Sequence, residues 1–257
     1  MSAPARTGAP ALCLSDAHTH PGTPEELSER CEGAVLSLIC LTCPPQAEAF
    51  LAKAARPYLI PTAGLHPWKA ASFSLEEMKP WLLACPVIGE IGMDSVWCDV
   101  PLKLQEDVFT AQLELAAQWK RPVILHTKGQ EKTIAAHLRR YPNRYLVHWY
   151  SCESGLEDYL ALDCYFSIGP DVTWNPAVRA AAARVPANRL LIETDGMSAV
   201  RWAAEEAPSP ETPPETVRGS LERTLAEVAA IRGLTPKQAG ILTRQNLTDG
   251  FLLGKSV

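Results

Sequence analysis

"SDAHTHPG", residues 15–22, follows the apolar run "ALCL" (11–14) and sets Asp16, His18 and His20 at every second position. A strand projects residues i, i+2 and i+4 to one face. The spacing therefore predicts three metal-capable side chains pointing one way, at the end of an otherwise buried strand. Buried polar groups are costly unless something satisfies them, so either the triplet binds something or the fold carries an expensive polar cluster without return.

Seven more apolar runs of this kind follow: "GAVLSLIC" (33–40), "YLIPTAGL" (58–65), "PVIGEIG" (86–92), "PVILHT" (122–127), "RYLVHW" (144–149), "CYFSIG" (164–169) and "RLLIETD" (189–195). Short, near-continuously apolar runs read as strands buried on both faces, as in a parallel sheet. Amphipathic stretches separate them, among them "SLEEMKPWLLA" (74–84) and "LQEDVFTAQLELAAQWK" (104–120). A long helix closes at Gly233, and the next opens with Thr235 as N-cap and Pro236 at its first position. Eight strand–helix units predict an α/β fold, a single (β/α)8 TIM barrel over residues 1–257. An open doubly wound sheet is the competing topology. It calls for a glycine-rich phosphate loop after the first strand, and "HTHPGTPEEL" has a single glycine there.

Polar residues interrupt these strands at one end. Asp16, His18 and His20 follow strand one, His66 strand three; Glu90 sits in strand four; His126, His148 and Asp195 end strands five, six and eight. In a barrel these ends meet at one face, where active sites sit. His137 falls on a helix and reads as ordinary. Four imidazoles and two carboxylates on one rim are costly unless a cation compensates them. Imidazole with carboxylate suits Zn, Mn or Fe, while Mg prefers more oxygen ligands. Six donors are too many for one tetrahedral ion and enough for two. A bridging carboxylate, for which Glu90 is well placed, would hold two ions ~3.5–4 Å apart. Asp195 is positioned to take a proton from water.

The ordered set "DAHTH", "GLHPW", "VIGEIGMD", "PVILHT", "LVHWYSCESG", "YFSIG" and "RLLIETDG", with "LTRQNLTDGF" near the end, resembles the TatD-type metal-dependent hydrolases of the amidohydrolase-like barrels. The resemblance implies that His18, His20, Glu90 and Asp195 hold one metal, and that Glu90, His126 and His148 hold a second. It implies His66 near a substrate phosphate, with Lys128 as a further substrate contact. Members are described as nucleases, often on DNA, and as phosphodiesterases on small substrates. The chain departs from the family pattern at Gly22, at Thr127–Lys128, in the longer "HWYSCESG", and in "GMSAVRWAAEE" after Asp195. The substrate-facing loops therefore differ more than the ligand set does. Hydrolysis of an amide, lactone or phosphotriester at the same site is the alternative chemistry, and a non-catalytic metal-binding barrel the alternative class.

Composition bounds the rest. Apolar residues make up 47% and charged residues 21%, an ordinary globular balance that argues against disorder. A net charge of −5 argues against a broad electrostatic footprint for nucleic acid. "MSAPARTGAPALCLS" has no signal-peptide pattern, and no apolar run approaches the ~20 residues of a membrane helix. The eight cysteines read as reduced thiols of a cytoplasmic protein, with "CLTC" (Cys40–Cys43) structural rather than redox-active. The Pro- and acid-rich "AAEEAPSPETPPET" (203–216) reads as a loop near the active-site mouth. Glu193 reads either as a carboxylate that orients a ligand or as one bonded to a backbone N–H, and Asp94 as a turn residue, with bracing of the site as the alternative. Trp68, Trp149 and Trp202, after strands three, six and eight, read as rim-packing aromatics, with stacking on a base or ring as the alternative.

Overall fold

The computed structural model describes residues 12–209 and 212–254. Eight parallel strands run in chain order around one sheet: β1 (Ser15–Thr19), β2 (Leu36–Leu41), β3 (Leu59–Ala63), β4 (Val87–Asp94), β5 (Val123–Lys128), β6 (Tyr145–Val147), β7 (Tyr165–Ile168) and β8 (Leu190–Ile192). Every neighbouring pair is parallel. The helices between them are α1 (Pro24–Glu32), α2 (Pro44–Leu51), α3 (Leu75–Ala84), α4 (Leu102–Trp119), α5 (Glu131–Leu138), α6 (Leu156–Leu160) and α7 (Pro176–Arg184). After β8 come α8 (Met197–Glu205), α9 (Val217–Arg232) and α10 (Pro236–Gln245), then a π-helical stretch, Asn246–Leu252. The expected barrel is present.

Local signals set the helix ends. Thr23 with Glu26, Ser74 with Glu77 and Thr235 with Gln238 each form a reciprocal capping box. Gly233 closes α9 in the left-handed region at φ 65°.

Two apolar layers hold the fold. The larger lies between strands and helices, with Ile39, Leu41, Ile91, Val147, Phe166 and Leu225 among its residues. The smaller contains Leu38, Ile124, Leu146 and Leu191 together with Leu247 and Phe251 of the closing segment. Cys40, His126, His148 and Glu193 each stand two residues after one of those four aliphatics. The period of two carries them onto the same face, one layer further along. Asn246 fixes the closing segment by donating to the carbonyls of Ala187 (2.7 Å) and Leu190 (2.8 Å).

The opening motif departs from its expected reading. β1 starts at Ser15, so Asp16 and His18 lie inside the strand rather than after it. The register slips between Asp16 and Thr19. Such a bulge breaks strict alternation, and Asp16 does not join the two histidines. Its carboxylate instead accepts from Arg30 Nη1 at 2.6 Å, from the Thr194 backbone N–H at 2.9 Å and from Thr194 Oγ1 at 2.6 Å. With the Asp195 N–H donating to the His18 carbonyl at 3.1 Å, these bonds close the seam between β8 and β1. Arg30 also reaches Ser37 and Thr19, and it is 1% exposed. Removing one partner of a buried ion pair costs about 3–5 kcal/mol, because the other charge is left uncompensated. Asp16→Ala is therefore expected to lower unfolding free energy by about that amount in denaturant titration; a loss below about 1 kcal/mol would show that the pair does not hold the seam.

Three cysteines, Cys40, Cys85 and Cys164, are buried, Cys13 is exposed, the others are half-buried, and all are free thiols. Ala203–Glu205 of the stretch read as a loop belong to α8. Pro210 and Glu211, like Ala11 and the residues before it, lie outside the described residues. The other described residues of that loop are not among those lining the large cavity. No helix among the described residues is long and apolar enough to cross a membrane.

Candidate metal centre

Glu90 stands near the middle of β4 and is 1% exposed. Gly92 lets β4 press against β5, since a Cβ there would collide with the His126 carbonyl. The two carboxylate oxygens of Glu90 face different imidazoles. Oε2 lies 3.4 Å from His18 Nε2 and 3.9 Å from His20 Nε2. Oε1 lies 2.7 Å from His126 Nδ1, 2.8 Å from His148 Nε2 and 3.5 Å from His66 Nε2. Asp195 closes the first side, with Oδ1 3.3 Å from His18 Nε2 and 3.4 Å from His20 Nε2. Four of the other five expected ligands thus face Glu90 directly, and Asp195 joins them through His18 and His20. His66, expected at a substrate phosphate, lines the cavity and also reaches Glu90. Lys128 lines the same cavity, and His137 pairs with Glu106 away from it.

The backbone aims these groups. Asp195 adopts a left-handed conformation at φ 56°, uncommon for a residue with a Cβ but enriched in Asp. Its own N–H and the Gly196 N–H, bonded to Thr194 Oγ1, hold that turn. Glu193 sits 3.3 Å from His148 Nδ1 and accepts from Ser167 Oγ, so it orients the His148 ring. Asp94 lies 3.0 Å from His126 Nε2 and accepts from the Trp68 indole at 2.7 Å. Its other oxygen accepts from the N–H groups of Val96 and Trp97, which makes it a brace as well as a turn residue. Cys40 Sγ accepts from the Glu90 N–H at 3.0 Å, which gives the first half of "CLTC" its structural role.

The electrostatics of the metal-facing groups run mostly one way. Burial works against an ionised Glu90, yet the imidazoles of His148, His66 and His18 and the His126 bond hold its carboxyl well below the usual range. Asp195 is likewise held low against burial, by His18 and His20. His18 is pushed up to about 9: burial and His148 oppose its charge, and Glu90 and Asp195 outweigh them. His126 and His148 also rise against burial, His126 through Asp94 and Glu90, His148 through Glu90 and Glu193. His66 goes the other way, down to about 4, because burial outweighs its attraction to Glu90. Burial raises Glu193, with His148 opposing. The cluster as a whole favours added positive charge.

The donors fit divalent cations. Among the described residues, eight buried side-chain polar atoms have no hydrogen-bond partner, and three of them are His18 Nδ1, His18 Nε2 and Asp195 Oδ1. His18 Nε2 and Asp195 Oδ1 lie 3.3 Å apart without forming a well-aligned hydrogen bond, so a cation coordinated by both would satisfy them. The groups whose donor atoms come within 4.8 Å of one another are His18–His20–Glu90, His18–His148–Asp195 and His66–Glu90–His126. They combine imidazole with carboxylate, the set suited to Zn, Mn or Fe.

A (β/α)8 barrel that gathers imidazoles and carboxylates at this rim has the build of a metal-dependent hydrolase. The chain belongs to the family described as TatD related DNase, which matches residues 15–251. It is 33% identical over 144 residues to the Escherichia coli protein named "Uncharacterized metal-dependent hydrolase YjjV", covering 51% of this chain and 56% of that one. It is 33% identical over 159 residues to "3'-5' ssDNA/RNA exonuclease TatD" of Edwardsiella piscicida, covering 56% of this chain and 60% of that one. The matches thus span somewhat over half the length of these relatives. The crystal structure of Escherichia coli YjjV superposes over 93% of this chain and 98% of that one, with a TM-score of 0.77 at 23% identity. That superposition shows the shared barrel.

Sequence reasoning missed Trp97, which follows β4 and lines the cavity with Trp68, Trp149 and Trp202. Its signal was present: like Trp68, it stands a few residues past the end of a strand.

Proposed function

We propose that the chain hydrolyses phosphoester bonds with two divalent cations, and that residues 1–257 act as one barrel domain. The observation that carries this reading is the division of Glu90, whose Oε2 faces His18 and His20 while its Oε1 faces His126, His148 and His66. His18, His20, Glu90 and Asp195 would hold one cation; Glu90, His126 and His148 would hold the other. Bound there, the ions would supply a lowered pKa for water and Lewis-acid stabilisation of the attacking and leaving oxygens.

The chain's own residues do the rest. Asp195 lines the cavity with its side chain 20% exposed, and His18 and His20 hold its carboxyl below the usual range, so it is the carboxylate that would take the proton of the attacking water. Glu193 and Asp94 fix the His148 and His126 rings. His66 and Lys128 line the cavity and would donate to a phosphate oxygen bound there. The exonuclease names of relatives favour DNA or RNA over a small phosphodiester. The panel that tests the reading sets bis-p-nitrophenyl phosphate and a single-stranded oligonucleotide against a lactone and an N-acyl amide. Turnover of the phosphodiesters is expected. Turnover confined to the lactone or amide would replace it with the alternative chemistry.

A further inference from the structure

Four tryptophans line the cavity, and the hydrolytic steps above use none of them. Three stand in a row, edge to face: Trp97 and Trp202 with ring centroids 6.1 Å apart, Trp202 and Trp149 5.9 Å apart. Trp97 is 53% exposed and Trp202 40%. Exposed indoles clustered at a cavity mouth leave apolar area in water that a ligand would cover.

Trp149 is held for that position. Its backbone is left-handed at φ 39°, unusual for a bulky residue. Its indole N–H donates to Asp171 Oδ1 at 2.6 Å, and Asp171, 1% exposed, also accepts from Asn175 at 2.7 Å. The ring lies so close to Gly169 that a Cβ there would come within 2.6 Å of it. An uncommon conformation fixed from several sides is the pattern of a ligand-facing residue.

Charge and size narrow the ligand. Lys128 Nζ sits over one face of Trp97, 4.2 Å from the ring centroid, and donates to Ser151 Oγ at 3.3 Å, which puts a cation at the edge of the indole row. Lys69 is the second lysine on the wall. Grooves that track a single strand combine a run of cations with several stacked bases, and this wall has two lysines. The cavity of about 470 Å³ is the size of a site for one small ligand.

We propose that Trp97, Trp149 and Trp202 form a stacking subsite for one nucleobase carried on the phosphoester, with Lys128 on the adjoining phosphate. The proposal rests on the phosphoester reading and adds the recognition of a single terminal base. It is tested by calorimetric binding to the full, metal-loaded chain of deoxyadenosine 5′-monophosphate, phenyl phosphate and deoxyribose 5-phosphate. Base stacking is worth about 1–3 kcal/mol, so the nucleotide is expected to bind about 10-fold or more tighter than the sugar phosphate. Trp97→Ala and Trp202→Ala, both at exposed positions, should each cut that ratio about fivefold or more. Equal affinities in the wild type, or a ratio unmoved in both variants, would overturn the subsite. Phenyl phosphate binding like the sugar phosphate supports a nucleobase; phenyl phosphate matching the nucleotide would overturn that assignment in favour of any aryl group. Turnover without base discrimination would sink the subsite alone. Base discrimination without turnover of any phosphoester would sink the hydrolase reading alone.

Discussion

Glu90→Gln is expected to cost about 10³-fold or more in phosphodiester turnover while leaving the barrel folded. The amide keeps the shape and the backbone N–H bond to Cys40 Sγ. It removes the one negative charge that both groups of imidazoles share. His18 and His20 would keep Asp195 on their side, whereas His126, His148 and His66 would lose the carboxylate they converge on. The substitution should therefore lower metal content as well as rate. Metal analysis and initial rates on one preparation check it, with circular dichroism as the fold control. A variant with wild-type rate and full metal content would show that Glu90 bridges nothing.

Asp195→Asn is expected to be nearly as damaging, about 10²–10⁴-fold in kcat, by removing the proton acceptor. The backbone contributes separately: the Asp195 N–H bond to the His18 carbonyl belongs to the barrel seam and survives the substitution. Thermal stability should therefore change little while turnover falls. The pH profile gives a second readout. Burial works against an ionised Asp195, but His18 and His20 hold its carboxyl far below the usual carboxylate range. The acid limb of the wild-type profile is thus not expected to report this group. Near-normal turnover in the variant, with metal bound, would move the proton acceptor elsewhere.

The rim was legible in the sequence because its residues sit where apolar runs end or are interrupted. Glu90 inside "VIGEIG", His126 after "VIL" and His148 after "YLV" each place a polar group where the barrel interior turns from packed aliphatics to the open face. Asp16 was not legible, because its partner Arg30 comes from α1 and the bulge between Asp16 and Thr19 leaves no mark in composition. The tryptophan row depends on loops whose geometry is set by tertiary contacts. The Trp97 backbone is fixed by Asp94 accepting its main-chain N–H, and the Trp149 ring by Asp171 and Gly169 on the next strand's loop. Strand boundaries moved by a few residues where turn geometry, rather than hydrophobicity, ends the ladder, as at β8, which stops at Ile192 before the left-handed Asp195.

The most direct test of the bridging carboxylate is the metal content of the protein purified without chelator, measured by elemental analysis alongside its phosphodiesterase rate as ions are stripped and restored. The account predicts two divalent ions per chain, with rate lost on stripping and regained as the second equivalent returns. One ion or none at full rate would contradict it.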